Sequence, residues 1–437
     1  MPKIIELVPL LSMVQEYISS RYAAALTDEN KLPQLKTYIE KFIRDGDYEV
    51  KGFAFKELCD QLYTEMAEYS ILTKYLGREN IEEININAWN DIAITYTSGR
   101  TRKLKETFYS PQHAVDIIKR LLHHSGMIID NATPVAQGHL PNNTRITVIK
   151  SPVVDEDVGI SASIRLLHPS RVNREQLIKY GNSTQKMLDF LCMCVRYGVS
   201  FVVAGATSSG KTTLLNSILT TIPDNKRVYT IETGSRELSL VRKKKNRITN
   251  NVVHTLARPS ENEAYDISQE DLVALALRFN PDIICVGEMR DVEGYSAIEA
   301  SMSGHTVVST VHSFAGEQAH QRVGNLYEKS PKAKSGNGKQ FAQIAFPIVV
   351  YAHKLENNDR KIMDISECEV LPNGERIYHT LFRFNVTKNE VVGGKFQTEG
   401  YFEQPEIMSE SLKTRLLRFG VPYDELNKFL EKGADYQ

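Results

Sequence analysis

Apolar residues recur every three or four positions in MVQEYISSRYAAAL, LPQLKTYIEKFIRDG and FKELCDQLYTEMAEY, so residues 1 to about 75 read as amphipathic helices. The opening MPKIIELVPLLSMVQEYISS is interrupted by Glu6 and Glu16, and no small-residue cleavage site follows it. It reads as one of these helices and not as a signal peptide. Near residue 81 the period changes to two. In IEEININAWNDIAITY, Ile84 and Ile86 fall on one side and Ile92 and Ile94 on another, with Asn87, Asn90 and Asp91 as turn residues between them. SPQHAVDIIKRLLHHSG returns to a helical pattern that stops at Gly126. LPNNTRITVI reads as a hairpin-like stretch and ISASIRLL as a further strand. Residues 76–168 therefore form a small mixed α/β domain.

HPSRVNREQLIKYGN reads as a linker, and the helix STQKMLDFLCMCVRYG ends at Gly198. Strands and helices then alternate: VSFVV, a helix from Lys211, RVYTIE, SQEDLVALALRF, PDIICVGE, VEGYSAIEASMSG and HTVVSTVHS. Such alternation predicts a mostly parallel sheet with helices on its faces. PIVVYAHKL, KIMDISECEV and HTLFRFNV are expected to pair antiparallel beside it. EKSPKAKSGNGK reads as a polar, mobile loop, and the chain from Ser409 as a helical tail.

The chain has 437 residues, enough for two or three domains. The formal net charge of −1 gives no global pull on nucleic acid or acidic lipid. Five scattered cysteines, with no CxxC pair, fit free thiols in a reducing cytosol better than a disulfide framework or a zinc site. Cys192 and Cys194 are two apart on a helix and point in different directions. No apolar stretch approaches the roughly 18–20 residues that span a bilayer, so work at a membrane would proceed through a partner or a surface. The run RKKKNR at 242–247 reads as a solvated loop. It is short for contact with phospholipid or nucleic acid in a near-neutral chain.

Residues 205–212, GATSSGKT, match G-x-x-x-x-G-K-T between an apolar strand and a helix. Backbone N–H groups of Gly205, Ala206, Thr207, Ser208, Ser209 and Gly210 can converge on a phosphate at the helix N-terminus, where Thr213 also lies. Lys211 would reach the β/γ-phosphates and the Thr212 hydroxyl would ligate Mg²⁺, which points to bound ATP. Glu288 ends the strand PDIICVGE, where an acid can position Mg²⁺ or water; an ordinary polar strand end is the alternative. Glu232 ends VYTIE. In a parallel sheet it would stand beside the loop as general base, or else serve as a helix-capping acid. His312, two residues after Thr310, can sense a γ-phosphate by hydrogen bonding or can be structural.

GATSSGKTTLLNSIL, VYTIETGSREL, LALRFNPDIICVGEMRD and GHTVVSTVHS, in this order, resemble the Walker A, Asp, Walker B and His boxes of the type II/type IV secretion ATPases, or traffic ATPases. The Gly-Glu ending of the Walker B segment is a trait of that family. IDNATPVAQGHLPNNTRITVI and SASIRLL resemble the N-terminal domain of its conjugation and CpaF-type (tight-adherence pilus) branch. The likeness covers roughly residues 76–385. It implies an α/β fold: a RecA-like P-loop NTPase domain, preceded by a small mixed α/β (PAS-like) N-terminal domain and a helical N-terminal extension. The segments are then 1–75 helical extension, 76–168 N-terminal domain, 169–181 linker, 182–395 ATPase domain and 396–437 helical C-terminal tail.

The resemblance also implies a homohexamer with nucleotide between its two domains. Arg145 and Arg165 would reach phosphates as catalytic residues, and Arg278 and Arg290, near the subunit boundary, would help bind the nucleotide, each supplying positive charge to a developing phosphoryl charge. Without the family, each of these arginines reads as a surface ion-pair partner. The sequence departs from the family where Thr233 follows Glu232 in place of the usual acid, and where Asn280 stands for a common arginine. It lacks the four-cysteine zinc module of many type II ATPases. The expected function is a hexameric ATPase motor for protein secretion, conjugative transfer or pilus assembly. It would sit at the cytoplasmic face of the membrane on an integral inner-membrane platform protein, with no sequence-specific nucleic acid. The alternatives are a RecA-like nucleic-acid translocase, which needs a basic or aromatic channel, a small-molecule kinase, which needs a lid and acceptor pocket, and a non-catalytic scaffold.

Overall fold

A computed structural model describes residues 2–22, 31–123, 125–140, 144–166, 172–258, 265–333 and 336–435. The chain divides into two compact units, Met1–Leu167 and His168–Gln437.

The first unit opens with β1 (Lys3–Ile4), α1 (Leu7–Arg21), α2 (Leu32–Gly46), β2 (Tyr48–Glu49) and α3 (Phe55–Ala67). The helices bury Leu10, Val14 and Ile18 against Leu35, Ile39, Ile43 and Leu62, the four-residue spacing that puts one stripe of each helix inward. After α4 (Thr73–Leu76) come β3 (Ile81–Ala88), β4 (Asp91–Tyr96), β5 (Thr101–Lys103), α5 (Pro111–His123), β6 (Val135–Leu140), β7 (Thr144–Lys150) and β8 (Ile160–Leu166). The strands form one antiparallel six-stranded sheet in the order β5-β4-β3-β8-β7-β6. Ile84 pairs with Ile94 and Ile86 with Ile92, so all four enter one core under α5, not two separate faces. Glu65 of α3 is fully buried. It accepts from the Tyr109 hydroxyl at 3.0 Å and lies 3.1 Å from His113 Nε2. Arg120 of α5 donates to the carbonyls of Glu65 and Glu68 at 2.9 and 2.6 Å, which ties the helical layer to the sheet layer.

The second unit contains α6 (Arg174–Lys179), α7 (Gln185–Arg196), β9 (Phe201–Ala204), α8 (Lys211–Leu219), β10 (Arg227–Glu232), β11 (Lys243–Lys244), β12 (Arg247–Ile248) and β13 (Asn251–Leu256). It continues with α9 (Gln269–Ala276), β14 (Ile283–Met289), α10 (Glu293–Met302), β15 (Thr306–Val311), α11 (Gly316–Tyr327) and α12 (Gly338–Ala345). It closes with β16 (Ile348–Lys354), β17 (Arg360–Val370), β18 (Arg376–Val392), β19 (Lys395–Gln404), α13 (Glu410–Arg418), α14 (Tyr423–Asn427) and β20 (Gly433–Asp435). The large sheet has ten strands in the order β13-β10-β14-β15-β9-β16-β17-β18-β19-β20. From β13 to β16 every neighbour pair is parallel; from β17 onward pairing is antiparallel. One apolar cluster, with α7 and α8, covers one face; another, with α9 to α12, covers the opposite face. Being covered on both sides explains why FVVA of β9 and the IICV that opens β14 are continuous apolar runs. Among the described residues no helix is long and apolar enough to cross a membrane.

Four further expectations change. The 169–181 linker contains α6: Asn173 Oδ1 accepts from Gln176 N at 2.9 Å while Gln176 Oε1 accepts from Asn173 N at 2.8 Å, a capping box that starts a helix. PIVVYAHKL is β16, parallel to β9, because it follows the crossover helix α12 and not a hairpin. The 396–437 tail is not helical throughout: residues 396–404 belong to β19, paired by the Gly393–Gly394 turn with β18. The basic run is not a loop but lies in the hairpin β11–β12, with Lys245 and Asn246 at positive φ in its turn. Residues 141–143 of LPNNTRITVI, 169–171 of the linker and 334–335 of the polar loop lie outside the described residues.

Ser409 caps α13, accepting from Leu412 N at 3.0 Å, and binds the buried Glu367 twice: its N–H donates at 2.9 Å, and its hydroxyl donates to the other carboxylate oxygen. Ser409→Ala removes the cap and leaves a buried carboxylate oxygen without its donor. It is expected to cost about 2–3 kcal/mol. The measurement is the urea midpoint followed together with tryptic release of the C-terminal segment. An unchanged midpoint and cleavage rate would contradict this anchoring role.

Candidate active site

The P-loop leaves β9 at Gly205, whose N–H donates to Val311 O at 3.3 Å. A Cβ at Gly205 would lie 2.2 Å from Ala352 O and 2.5 Å from Ser209 Oγ, so only glycine lets the loop pass between β15 and β16. Ser208 and Gly210 adopt positive φ, and the chain then enters α8 at Lys211. The Lys211 side chain turns back: Nζ donates to Gly205 O at 3.0 Å and to Ala206 O at 2.8 Å. Ala206 and Thr207 are exposed, Thr212 and Thr213 are half-buried in the first turn of α8, and Ser209 is buried with an unpartnered hydroxyl. From β17, Arg360 Nε donates to Ser208 O at 2.9 Å. A Cβ on Gly210 would lie 3.3 Å from Arg360 Cδ, so the arginine lies against the loop.

The parallel register brings the C-terminal ends of β10, β14 and β15 to the same edge. Glu288 Oε2 accepts from Arg290 Nη2 at 2.6 Å. Its Oε1 lies 2.9 Å from His312 Nε2, close enough for an ion pair but not aligned as a hydrogen bond. Burial pushes the Glu288 carboxyl up, but Arg290, His312 and Lys211 outweigh it and hold the group below the ordinary carboxylate range. Burial and the charge of Lys211 push His312 down, so its ring is more readily neutral. Thr310 Oγ1 donates to Gly287 O at 2.8 Å and locks the two strand ends together.

Glu232 is built differently. Its Oε1 accepts the N–H groups of Glu237 and Leu238 at 2.6 and 2.9 Å, while Oε2 is buried with no partner. Burial pushes its carboxyl up to about 7, against the pull of those two N–H donors. Gly287 permits the approach to Glu288: a Cβ there would lie 3.2 Å from Ile231 O and 3.3 Å from Glu232 Cγ. Two carboxyls thus share one edge, one held ionised and one near half-protonated at neutral pH, which separates a charged role from a proton-accepting one.

The structure therefore gathers Gly205, Ser208, Gly210, Lys211, Glu232, Glu288, Arg290 and His312 at one edge of the large sheet. Arg278 is not among them. It is exposed on the short turn Leu277–Phe279 that precedes β14, and Phe279 O accepts from Arg227 at the start of β10. That places Arg278 at the opposite end of β14, on the order of 20 Å from Glu288, so it does not line its own chain's loop. Asn280 ends that turn at positive φ, a conformation asparagine accepts more readily than arginine. In the first unit, Arg145 of β7 and Arg165 of β8 are directly opposite each other on the face away from the core. Glu83 and His139 extend the row across four strands. Arg360 escaped the sequence reading because it comes from a strand some 150 positions after the loop it contacts, with no local motif.

The Type II/IV secretion system protein family model matches residues 65–348, more than half of the chain. An uncharacterized protein of Methanocaldococcus jannaschii is 33% identical over 208 residues, which cover 48% of this chain and 36% of that protein. The type IV secretion system protein PtlH of Bordetella pertussis is 35% identical over 190 residues, covering 42% of this chain and 54% of that one. The chain thus spans about half or less of these two relatives. The solved Legionella pneumophila ATPase DotB aligns at 18% identity with a TM-score of 0.46, covering 80% of this chain and 82% of that one.

Glu232 carries a pH-dependent penalty. Its folded value, about 7, lies above the ordinary 4.5, so its contribution to stability is full below pH 4.5 and is lost as pH rises through 7. The separation corresponds to about 3 kcal/mol at most. Glu232→Gln cannot ionise and keeps an oxygen for the two N–H donors. Without nucleotide, its melting temperature is expected to exceed wild type at pH 8.5 and to match it near pH 5. Equal melting at both pH values would contradict the buried, uncompensated charge.

Proposed function

Because this chain belongs to the type II/IV secretion system protein family, we propose that it hydrolyses ATP and passes the work to a secretion, conjugation or pilus-assembly machine at the cytoplasmic face of a membrane. The observation that carries the reading is the convergence of Lys211, Glu288 and Glu232 at the strand edge where the P-loop enters α8. Lys211 would exchange its loop carbonyls for β/γ-phosphate oxygens, and the loop N–H groups would hold the remaining charge. Glu232, titrating near neutrality with one oxygen unpartnered, would accept the proton of the attacking water. His312 would report the γ-phosphate to Glu288 through their close contact.

Among the described residues no group of three or more His, Cys, Asp or Glu side chains converges on a metal position. This fits Mg²⁺ taking most of its oxygens from phosphates and water, with Thr212 Oγ1 and the ionised Glu288 as the protein's share. When bound, Mg²⁺ would offset phosphate charge.

The assembly is proposed to be a homohexamer on an integral inner-membrane platform protein, within the CpaF-type or conjugation branch. The small antiparallel α/β layer would serve as the PAS-like N-terminal domain, presenting Arg145 and Arg165 to phosphates. Any contact from Arg278 to nucleotide would come from a neighbouring copy, given its place at the far end of β14. No described feature favours the translocase.

Two substitutions separate binding from chemistry. Lys211→Ala is expected to lower steady-state phosphate release about a thousandfold. Glu288→Gln is expected to abolish turnover while a fluorescent ATP analogue still binds within about tenfold of wild type. Wild-type turnover in the first variant, or loss of binding in the second with folding intact, would overturn these roles.

A further inference from the structure

Residues 233–250 run from the nucleotide edge of the large sheet to its other edge before β13 begins. Asn251, the first residue of β13, pairs with Arg227, the first of β10, so the hairpin β11–β12 stands where the parallel strands start. The phosphate loop stands where they end. Arg242 fixes the base of the hairpin, donating to Thr220 O and Ile222 O at 2.6 Å each, beyond the C-terminal end of α8. Asn250 closes it from the other side, accepting from Arg242 N at 2.9 Å and donating to Leu240 O at 2.8 Å.

On this fixed base sit Lys243, Lys244, Lys245 and Arg247, four cations in five positions. All are exposed, and among the described residues none forms an ion pair within 4.0 Å. Asp224, the acid at the base of the hairpin, is engaged by Arg242. Beside the cations, Ile248 is 62% exposed. A cluster of cations with an adjoining aliphatic side chain matches the chemistry of a bilayer interface, where anionic headgroups overlie the first methylenes. No aromatic residue is present in the hairpin to stack on a base, which disfavours single-stranded nucleic acid.

We propose that the hairpin Lys243–Ile248 is a docking site for an anionic phospholipid surface. The near-zero charge of the whole chain does not oppose this, because screening confines the attraction to about 8 Å around the four cations. The contact is direct and independent of any protein partner. It lies at the sheet edge away from the nucleotide, so it leaves ATP binding untouched.

The test is sedimentation of the full chain, without nucleotide, with vesicles of phosphatidylcholine alone or mixed with phosphatidylglycerol. Wild type is expected to bind the mixed vesicles and not the neutral ones, with binding falling as salt rises. Each cation strengthens partitioning about fivefold, so the triple variant K243A/K244A/K245A should bind about a hundredfold more weakly. Ile248→Ser should weaken vesicle binding severalfold while leaving binding to duplex DNA unchanged. Binding of the fluorescent ATP analogue is expected to be equal in all variants, which keeps this test separate from the proposed ATPase function. If the triple variant fails to fold, Lys244→Glu with Lys245→Glu replaces it and should also lose binding. The proposal is overturned by wild type failing to sediment with anionic vesicles, by undiminished binding of the variants, or by tighter binding of duplex DNA than of vesicles.

Discussion

The ammonium group of Lys211 is almost buried and must be held by oxygen. Its donors reach the carbonyls of Gly205 and Ala206, so the loop has to curl with those carbonyls turned inward. That curl is possible only with glycine at 205, where any Cβ would strike Ala352 O, and with Ser208 and Gly210 at positive φ. The same charge reaches further. It helps to keep Glu288 ionised and to push His312 toward its neutral form. A cation fixed at the mouth of a helix therefore sets the protonation of the groups around it before any anion arrives.

The large sheet gives this cation its company. Parallel strands end at one edge, so residues far apart in the chain, at positions 205, 232, 288 and 312, become neighbours without any of them being close in sequence. The opposite edge holds a different chemistry: Arg278 on its turn and the anchored basic hairpin. The helix α8 separates the two, nine residues or about 13 Å from phosphate loop to hairpin base. On the proposed reading, one domain would then hold nucleotide at one end of its parallel strands and meet an anionic surface at the other.

Much of this was legible in the sequence because it is local. The P-loop, the Gly-Glu strand end and the alternating strands each sit within a dozen residues, and the structure places Lys211, Glu232, Glu288 and His312 together at one strand edge. What escaped was non-local. Arg360 meets Ser208 only because β16 and β17 follow β9 in the sheet, and no spacing announces it. The direction of β16 depended on its preceding crossover helix, and an apolar run alone does not reveal strand direction. The tail misread arose from β19, whose alternation is weak because it lies toward the exposed end of the sheet. RKKKNR read as a loop because charge dominates its composition, while its hairpin is fixed by Lys245 and Asn246 at positive φ and by the polar base of Arg242 and Asn250.

The central claim is that a buried carboxyl near its midpoint at neutral pH works beside a fixed cation to hydrolyse ATP. It is tested most directly by phosphate release from the full wild-type chain with saturating Mg·ATP, measured between about pH 5.5 and 8.5. Turnover is expected to be saturable and to rise through about pH 7 as Glu232 loses its proton. Release no greater than buffer at every pH, or a rate flat across the whole range, would contradict it.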